Sequence, residues 1–199
     1  MKISIIGAGK IGSTLGRKWA GAGHTVKFGV RDPMDTKYED LHSIAALASV
    51  SDAASFGEVI LLALPGAAVP AFAAEHGQGL AGKIIIDATN NMRAVEINSL
   101  AILGENIPEG QLVRAFNTLG WENFAEPEIA GVQIDLFFCS APSVRSAAER
   151  LISDVGLHPV YIGDIDTAAV LDSMTRLWFA LAIDQGYGRQ TAFKMLSAK

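Results

Sequence analysis

A single cysteine, no basic surplus and no long apolar run narrow this 199-residue sequence before any motif is read. Cys139, set in Phe137-Phe138-Cys139, has no second cysteine to pair with, so a buried structural thiol is expected. The four histidines, His24, His42, His76 and His158, are scattered without metal-ligand spacing, and no metal site is expected. Lys and Arg number 16 against 21 Asp and Glu, a formal charge of −5 that leaves no cationic excess for broad nucleic-acid binding. Apolar stretches break well before the about 18 residues of a membrane span, and a strand begins too early for a signal peptide, so a cytoplasmic setting without a membrane partner is expected.

What is present is glycine in a telling place. Lys2-Ile3-Ser4-Ile5-Ile6 is a short apolar run, and Gly7-Ala8-Gly9-Lys10-Ile11-Gly12 follows it directly, ahead of a helix expected over Lys10 to Ala20. A dinucleotide pyrophosphate needs bare backbone there: Gly7 for the tight turn, Gly9 for close approach, Gly12 for helix-on-strand packing. The N–H groups and positive end of the helix then face the phosphates. His24 to Val30 reads as the second strand, and Arg31 stands at its end, beside the expected adenine ribose. An arginine suits a 2′-phosphate, where a carboxylate would suit a free 2′-hydroxyl, so NADP is favoured over NAD. Asp32 is placed either to pair with Arg31 or to approach the ribose, and Lys37 reads as a surface charge.

Half the residues are apolar and 20 are glycine, which suits an α/β fold. Tyr38 to Leu47 is expected as a short helix and Val50 as the start of an extended connection. Val59 to Leu64 reads as a buried strand stopped by Pro65-Gly66, Ala67 to Glu75 as a crossover helix, and Lys83 to Ala88 and Gln111 to Phe116 as further strands. Their ends, at Leu64-Pro65, Thr89-Asn90-Asn91 and Asn117-Thr118, should converge on one crevice. Beyond them come a strand over Ile134 to Cys139, a helix over Ser143 to Asp154, and an extended segment from Leu157 to Ile162. Asp164 and Asp166 are expected to cap a last helix, whose Val170, Leu171, Met174, Leu177, Trp178, Leu181 and Ala182 form a broad apolar stripe for the core or a homodimer contact. The expectation is one Rossmann-like domain over 1–199: a doubly wound, mainly parallel sheet, with a dinucleotide-binding core to about residue 130 and an integrated, compact C-terminal helical extension. No Tyr-x-x-x-Lys pair marks a carbonyl reductase of that type.

Several phrases together resemble the F420-dependent NADP oxidoreductases and related bacterial dinucleotide-binding reductases, a fold shared with the cytosolic part of STEAP metalloreductases. They are Ile6 to Gly12, Gly29-Val30-Arg31-Asp32-Pro33, Ala63-Leu64-Pro65, Val113-Arg114-Ala115-Phe116-Asn117-Thr118-Leu119-Gly120, and the ending from Asp172 through Leu196. The resemblance implies NADP(H) binding and hydride exchange with F420 or a related flavin such as FMN or FAD, with no catalytic nucleophile. It assigns pyrophosphate contact to Gly7, Gly9, Lys10 and Ile11, and 2′-phosphate contact to Arg31. Leu64 and Pro65 fall on the nicotinamide side, and Asn90, Asn117 and Thr118 near the reacting ring or second cofactor. Two departures stand out: Val30 occupies a place where F420-using members commonly carry serine, and the Asp87 to Met92 segment lacks the usual Asn-Pro form. Trp121 and Trp178 are the aromatics considered against an acceptor ring, with packing the first expectation for both.

Overall fold

The computed structural model of the chain describes residues 1–198. In chain order its elements are β1 (Lys2–Ile6), α1 (Lys10–Gly21), β2 (Thr25–Gly29), β3 (Ala46–Ala48), α2 (Val50–Phe56), β4 (Val59–Leu62), α3 (Val69–His76), β5 (Ile84–Asp87), α4 (Leu100–Asn106), β6 (Gln111–Arg114), α5 (Trp121–Ala125), β7 (Glu128–Ile129), β8 (Val132–Gln133), β9 (Asp135–Ser140), α6 (Arg145–Val155), β10 (His158–Tyr161) and α7 (Ala168–Phe179). The main sheet runs β10-β9-β6-β5-β4-β1-β2-β3. Every neighbouring pair is parallel except β6 and β9, which pair antiparallel through Val113 with Ser140 and Arg114 with Cys139. This is the mainly parallel Rossmann-like sheet, extended beyond β6 by two strands.

Covering both faces with helices explains the sequence of the inner strands. β4 is Val-Ile-Leu-Leu with all four residues buried, a continuous apolar run rather than an alternating one. One face packs Ile3, Ile5, Phe28, Phe116 and Phe138 against α1 and α6, while Ile6, Ile60, Leu62 and Ile85 meet α2, α3 and α4 on the other. On α1 the buried residues are Gly12, Leu15, Gly16 and Trp19, the stripe a 3.6-residue period predicts. Trp19 ties that helix to α6 by donating its indole N–H to Leu151 O at 2.9 Å. Cys139 is fully buried, and burial pushes its thiol up to about 11.

Two local expectations fail in adjacent segments. Tyr38 to Leu47 is no helix: a 3-10 turn spans Thr36–Leu41, and Ala46–Ala48 is β3, edge-paired to β2. Val50 begins α2 instead of an extended connection, because Ser49 caps it, accepting from Asp52 N–H at 3.1 Å while its hydroxyl donates to the Asp52 carboxylate. The crossover helix starts at Val69, after a 3-10 turn over Gly66–Ala68. The last helix divides its stripe: Leu171 and Trp178 are buried, whereas Val170 and Leu177 are exposed. Asp164 caps the 3-10 turn Ile165–Thr167 ahead of α7, accepting from Ile165 N–H; Asp166 does not act as its cap. After α7 the chain returns across α5, where Asn123 Nδ2 donates to Arg189 O at 2.9 Å and Trp178 Nε1 to Thr191 O at 2.7 Å. No helix among the described residues is long and apolar enough to cross a membrane.

Candidate functional site

The carboxyl ends of β1, β2 and β4 open onto a cleft of about 760 Å³ at the point where strand order reverses. That is the position and size of a nucleotide crevice on an open parallel sheet. The Gly7-Ala8-Gly9 turn lines it, with Arg31 and Tyr38 on the β2 side and Leu64, Pro65, Phe72 and His76 from the β4–α3 side. A second cavity of about 440 Å³ lies between the loop before α4 and the outer face of α7, away from the glycine turn.

The turn is built by two contacts and one opening. Gly7 has φ +102°, donates to Gly29 O at 3.0 Å, and a Cβ there would stand 2.5 Å from Ala63 O. A Cβ on Gly12 would stand 2.1 Å from Gly7 O, so α1 closes onto the turn only without a side chain. Gly9 is the opposite case: nothing lies within 4 Å of its Cβ position. The first helical bond runs from Ser13 N–H to Gly9 O at 2.8 Å, which leaves the preceding N–H groups of the turn without helical partners. A bound pyrophosphate fits this arrangement, since free space, unpaired N–H groups and the helix dipole coincide at one place. Lys10, Ile11 and Gly12 begin the helix behind the turn and do not line the cleft wall.

At the far end, Arg31 is exposed and has no partner among the described residues. Asp32 does not take it: its carboxylate accepts from Met34 N–H at 3.0 Å. Lys37 is occupied by Asp35, whose carboxyl it holds below the usual value while its own ammonium is pushed up by the same contact. Val30 is buried and offers no hydroxyl to the cleft. Tyr38, Ser49, Ser51, Glu75 and His76 also border the cleft. Sequence reasoning missed them as site residues; Ser49-Val50-Ser51-Asp52, a helix-start pattern at a strand's carboxyl end, was the available signal.

The three strand-end loops do meet. Leu64 Cδ2 lies 3.3 Å from the Cβ position of Gly7, and a Cβ on Gly66 would be 2.8 Å from Asn91 N. Asn90 Nδ2 donates to Asn117 O at 2.8 Å, joining the loops after β5 and β6. Leu64 and Pro65 line the cleft; Asn90, Asn117 and Thr118 do not. Both polar ends of Asn90 are engaged internally, since its Oδ1 accepts from Arg114 at 2.8 Å. Asn117 and Thr118 are 3% and 1% exposed, and Asn117 donates to Thr175 Oγ1 at 3.0 Å. Half-buried Trp121 stands at the start of α5, its ring 5.1 Å from Lys10 Nζ. Trp178 is 3% exposed and belongs to the core.

Residues 2–91 match the family model described as NADP oxidoreductase, coenzyme F420-dependent. The structure of a candidate F420-dependent NADP reductase from Arthrobacter sp. FB24 aligns at TM-score 0.84 and 26% identity, over 99% of this chain and 100% of that one. A hypothetical protein from Sinorhizobium meliloti aligns at 0.70 and 24%, over 99% and 96%. A reductive aminase from Aspergillus terreus, solved with NADPH and ethyl levulinate, aligns at 0.71 and 21% over 93% of this chain, which spans 62% of the aminase. The chain thus has a Rossmann-like fold of NAD(P)-binding oxidoreductases, related to both the F420-reductase and imine-reductase folds.

Proposed function

We propose that the protein is an NADP(H)-dependent oxidoreductase that passes hydride between nicotinamide and a small acceptor. The observation that carries this reading is the Gly7 to Gly12 turn, where Gly9 faces open space at the strand-order reversal and Arg31, unpaired among the described residues, stands at the far end of the same cleft. A bound NADPH supplies hydride from its nicotinamide C4. The chain's own part is to bind and orient. Backbone N–H groups of the turn hold the pyrophosphate, and Arg31 offers a planar donor fork to the 2′-phosphate. Leu64 and Pro65 wall the nicotinamide side and exclude water, while the buried 117–118 loop supports the acceptor side without lining the cleft. No protein nucleophile and no metal enter this reading.

Among acceptors, a small C=N or C=O electrophile stands first, supported by the shared fold of imine reductases and reductive aminases over most of this chain. F420, FMN or FAD is the second reading, supported by the family match and the Arthrobacter relative. The family match ends at residue 91, before Asn117, Thr118 and Trp121, so it speaks for the dinucleotide side more than the acceptor side. A cytoplasmic homodimer meeting through exposed Val170 and Leu177 completes the proposal.

The test is matched oxidation of NADPH and NADH with cyclic imines, ketone plus amine, F420, FMN and FAD. Saturable, NADPH-preferring turnover of one class identifies the acceptor. Tight NADPH binding without turnover on any of them would move the protein to a dinucleotide-binding role.

A further inference from the structure

Arg114 ends β6 with none of its surface exposed. A guanidinium buried this deeply needs protein atoms to answer its donors, and both Nη groups find them while Nε does not. Nη1 donates to the main-chain carbonyls of Asp87 and Thr89 and lies 3.1 Å from the Asp87 carboxylate. Nη2 donates to Asn90 Oδ1 at 2.8 Å and to Asp172 Oδ1 on α7 at 2.9 Å. One side chain therefore gathers the end of β5, the loop that follows it and the final helix.

Asn90 passes this grip onward. With Oδ1 held by Arg114, its amide presents Nδ2 to the opposite side, where it donates to Asn117 O. Asn117 in turn donates to Thr175, three residues after Asp172 and on the same side of α7. The bonds run from Arg114 through Asn90 and Asn117 to Thr175, and the backbone of α7, which carries both Thr175 and Asp172, closes the circuit to Arg114. The loop needs such a brace because Phe116, immediately before Asn117, holds φ +62°. A bulky residue stays in that left-handed region only where its surroundings over-determine it.

We infer that Arg114, acting through Asn90, is the positioning residue of the acceptor side, fixing the 116–120 loop while leaving the phosphate cradle to the glycine turn. The inference rests on the proposed dinucleotide site. Lysine would not substitute, since one ammonium cannot serve five oxygens spread over three segments.

The variants are Asn90→Asp, which keeps an oxygen for Arg114 but sets a charged carboxylate oxygen in place of the donor against Asn117 O, Asn90→Ala, which removes both contacts, and Arg114→Lys. Backbone hydrogen exchange is read over 116–120 and over α1 in the unliganded proteins. Binding is read with NADPH, by its nicotinamide fluorescence, and with 2′,5′-ADP, which carries the adenosine 2′-phosphate but no nicotinamide. Exchange over 116–120 should quicken about tenfold in both Asn90 variants, as expected for one lost anchoring bond, with α1 unchanged. The Kd for 2′,5′-ADP should stay within about twofold, as for a distant independent site, while the NADPH fluorescence change is diminished. Unaltered exchange over 116–120 in both Asn90 variants overturns the inference whatever the ligands do. Equal losses of NADPH and 2′,5′-ADP binding with faster exchange everywhere also overturn it, leaving Arg114 as general core support. A wild-type protein that binds neither ligand refutes the proposed function instead, and the exchange comparison still decides on the brace.

Discussion

The ammonium of Lys10 lies 5.1 Å from the centre of the Trp121 ring, linking the first residue of α1 to the first residue of α5. A cation over an indole at a partly exposed site is worth about 0.5–1 kcal/mol, too little to hold two helices but enough to bias one ring orientation. α5 has only five residues and cannot stand alone; Phe124, packed edge-on to Phe116, and the bond from Asn123 to the returning chain hold it in place. Trp121→Ala should raise the acceptor KM several-fold with dinucleotide affinity little changed, measured by separate titrations of the two substrates. An unaltered acceptor KM with lower thermal stability would make Trp121 a packing residue.

Two glycines of the same turn should respond oppositely to alanine. At Gly12 the added methyl meets Gly7 O, and overpacking of that kind costs about 1–3 kcal/mol, so Gly12→Ala should lower the melting temperature. At Gly9 the methyl meets nothing in the unliganded protein. Gly9→Ala should therefore keep wild-type stability and lose dinucleotide affinity by about tenfold or more, because the methyl occupies the space the pyrophosphate needs. Calorimetric melting and NADPH titration of both variants check the pair; wild-type affinity in Gly9→Ala would remove the cradle.

Arg31 should discriminate between the two dinucleotides. A hydrogen bond to a charged group contributes about 1.5–3 kcal/mol, so Arg31→Ala should weaken NADPH binding by about 10- to 100-fold. NADH binding should change little, because the missing phosphate never engaged the side chain. Equal effects on both ligands would assign Arg31 to general electrostatics, and the ratio should shrink as salt rises.

Asp135 predicts a pH dependence. It is 1% exposed and takes Lys194 Nζ at 2.5 Å, Met195 N–H at 2.7 Å and His158 Nδ1 at 2.9 Å. Burial pushes its carboxyl up, but the three donors outweigh burial and hold it below the usual carboxylate value. A carboxyl with a lower value in the folded state contributes stability above its unfolded value of about 4, and that stability is lost as pH falls through the folded one. The gap in urea midpoint between wild type and Asp135→Asn should accordingly be full at pH 7 and narrow from about pH 4 downward. A constant gap from pH 7 to pH 3 would exclude this linkage.

Much of the frame was readable in advance where the signal is local. β4 is a continuous apolar run that a sheet covered on both faces explains, β1 and β5 are largely apolar, and the glycine turn after β1 marks its own position. β3 escaped notice because three residues, Ala46-Leu47-Ala48, carry too little pattern, and their pairing to β2 is what makes them a strand. α2 stands where an extended connection is expected from Val50, because the cap that starts it, Ser49, lies one residue before that expected start. The resemblance set Asn90 near the reacting ring or second cofactor, and that both ends of its amide are engaged within the protein could be seen only in the tertiary structure.

By itself the sequence determined the strand-turn-helix at residues 2–21, the burial of Cys139 and the standing of Arg31 at the end of β2, since each depends on neighbours a few residues away. The tertiary structure alone decided which oxygens Arg114 holds, that Asn90 reaches Asn117, and that the returning chain pins α5. Those contacts join groups 27 residues apart for Asn90 and Asn117, 58 for Arg114 and Asp172, and 66 for Asn123 and Arg189. No periodicity reaches across such separations; they exist because burying the apolar faces of β5, β6, α5 and α7 together leaves their polar groups no partners but one another.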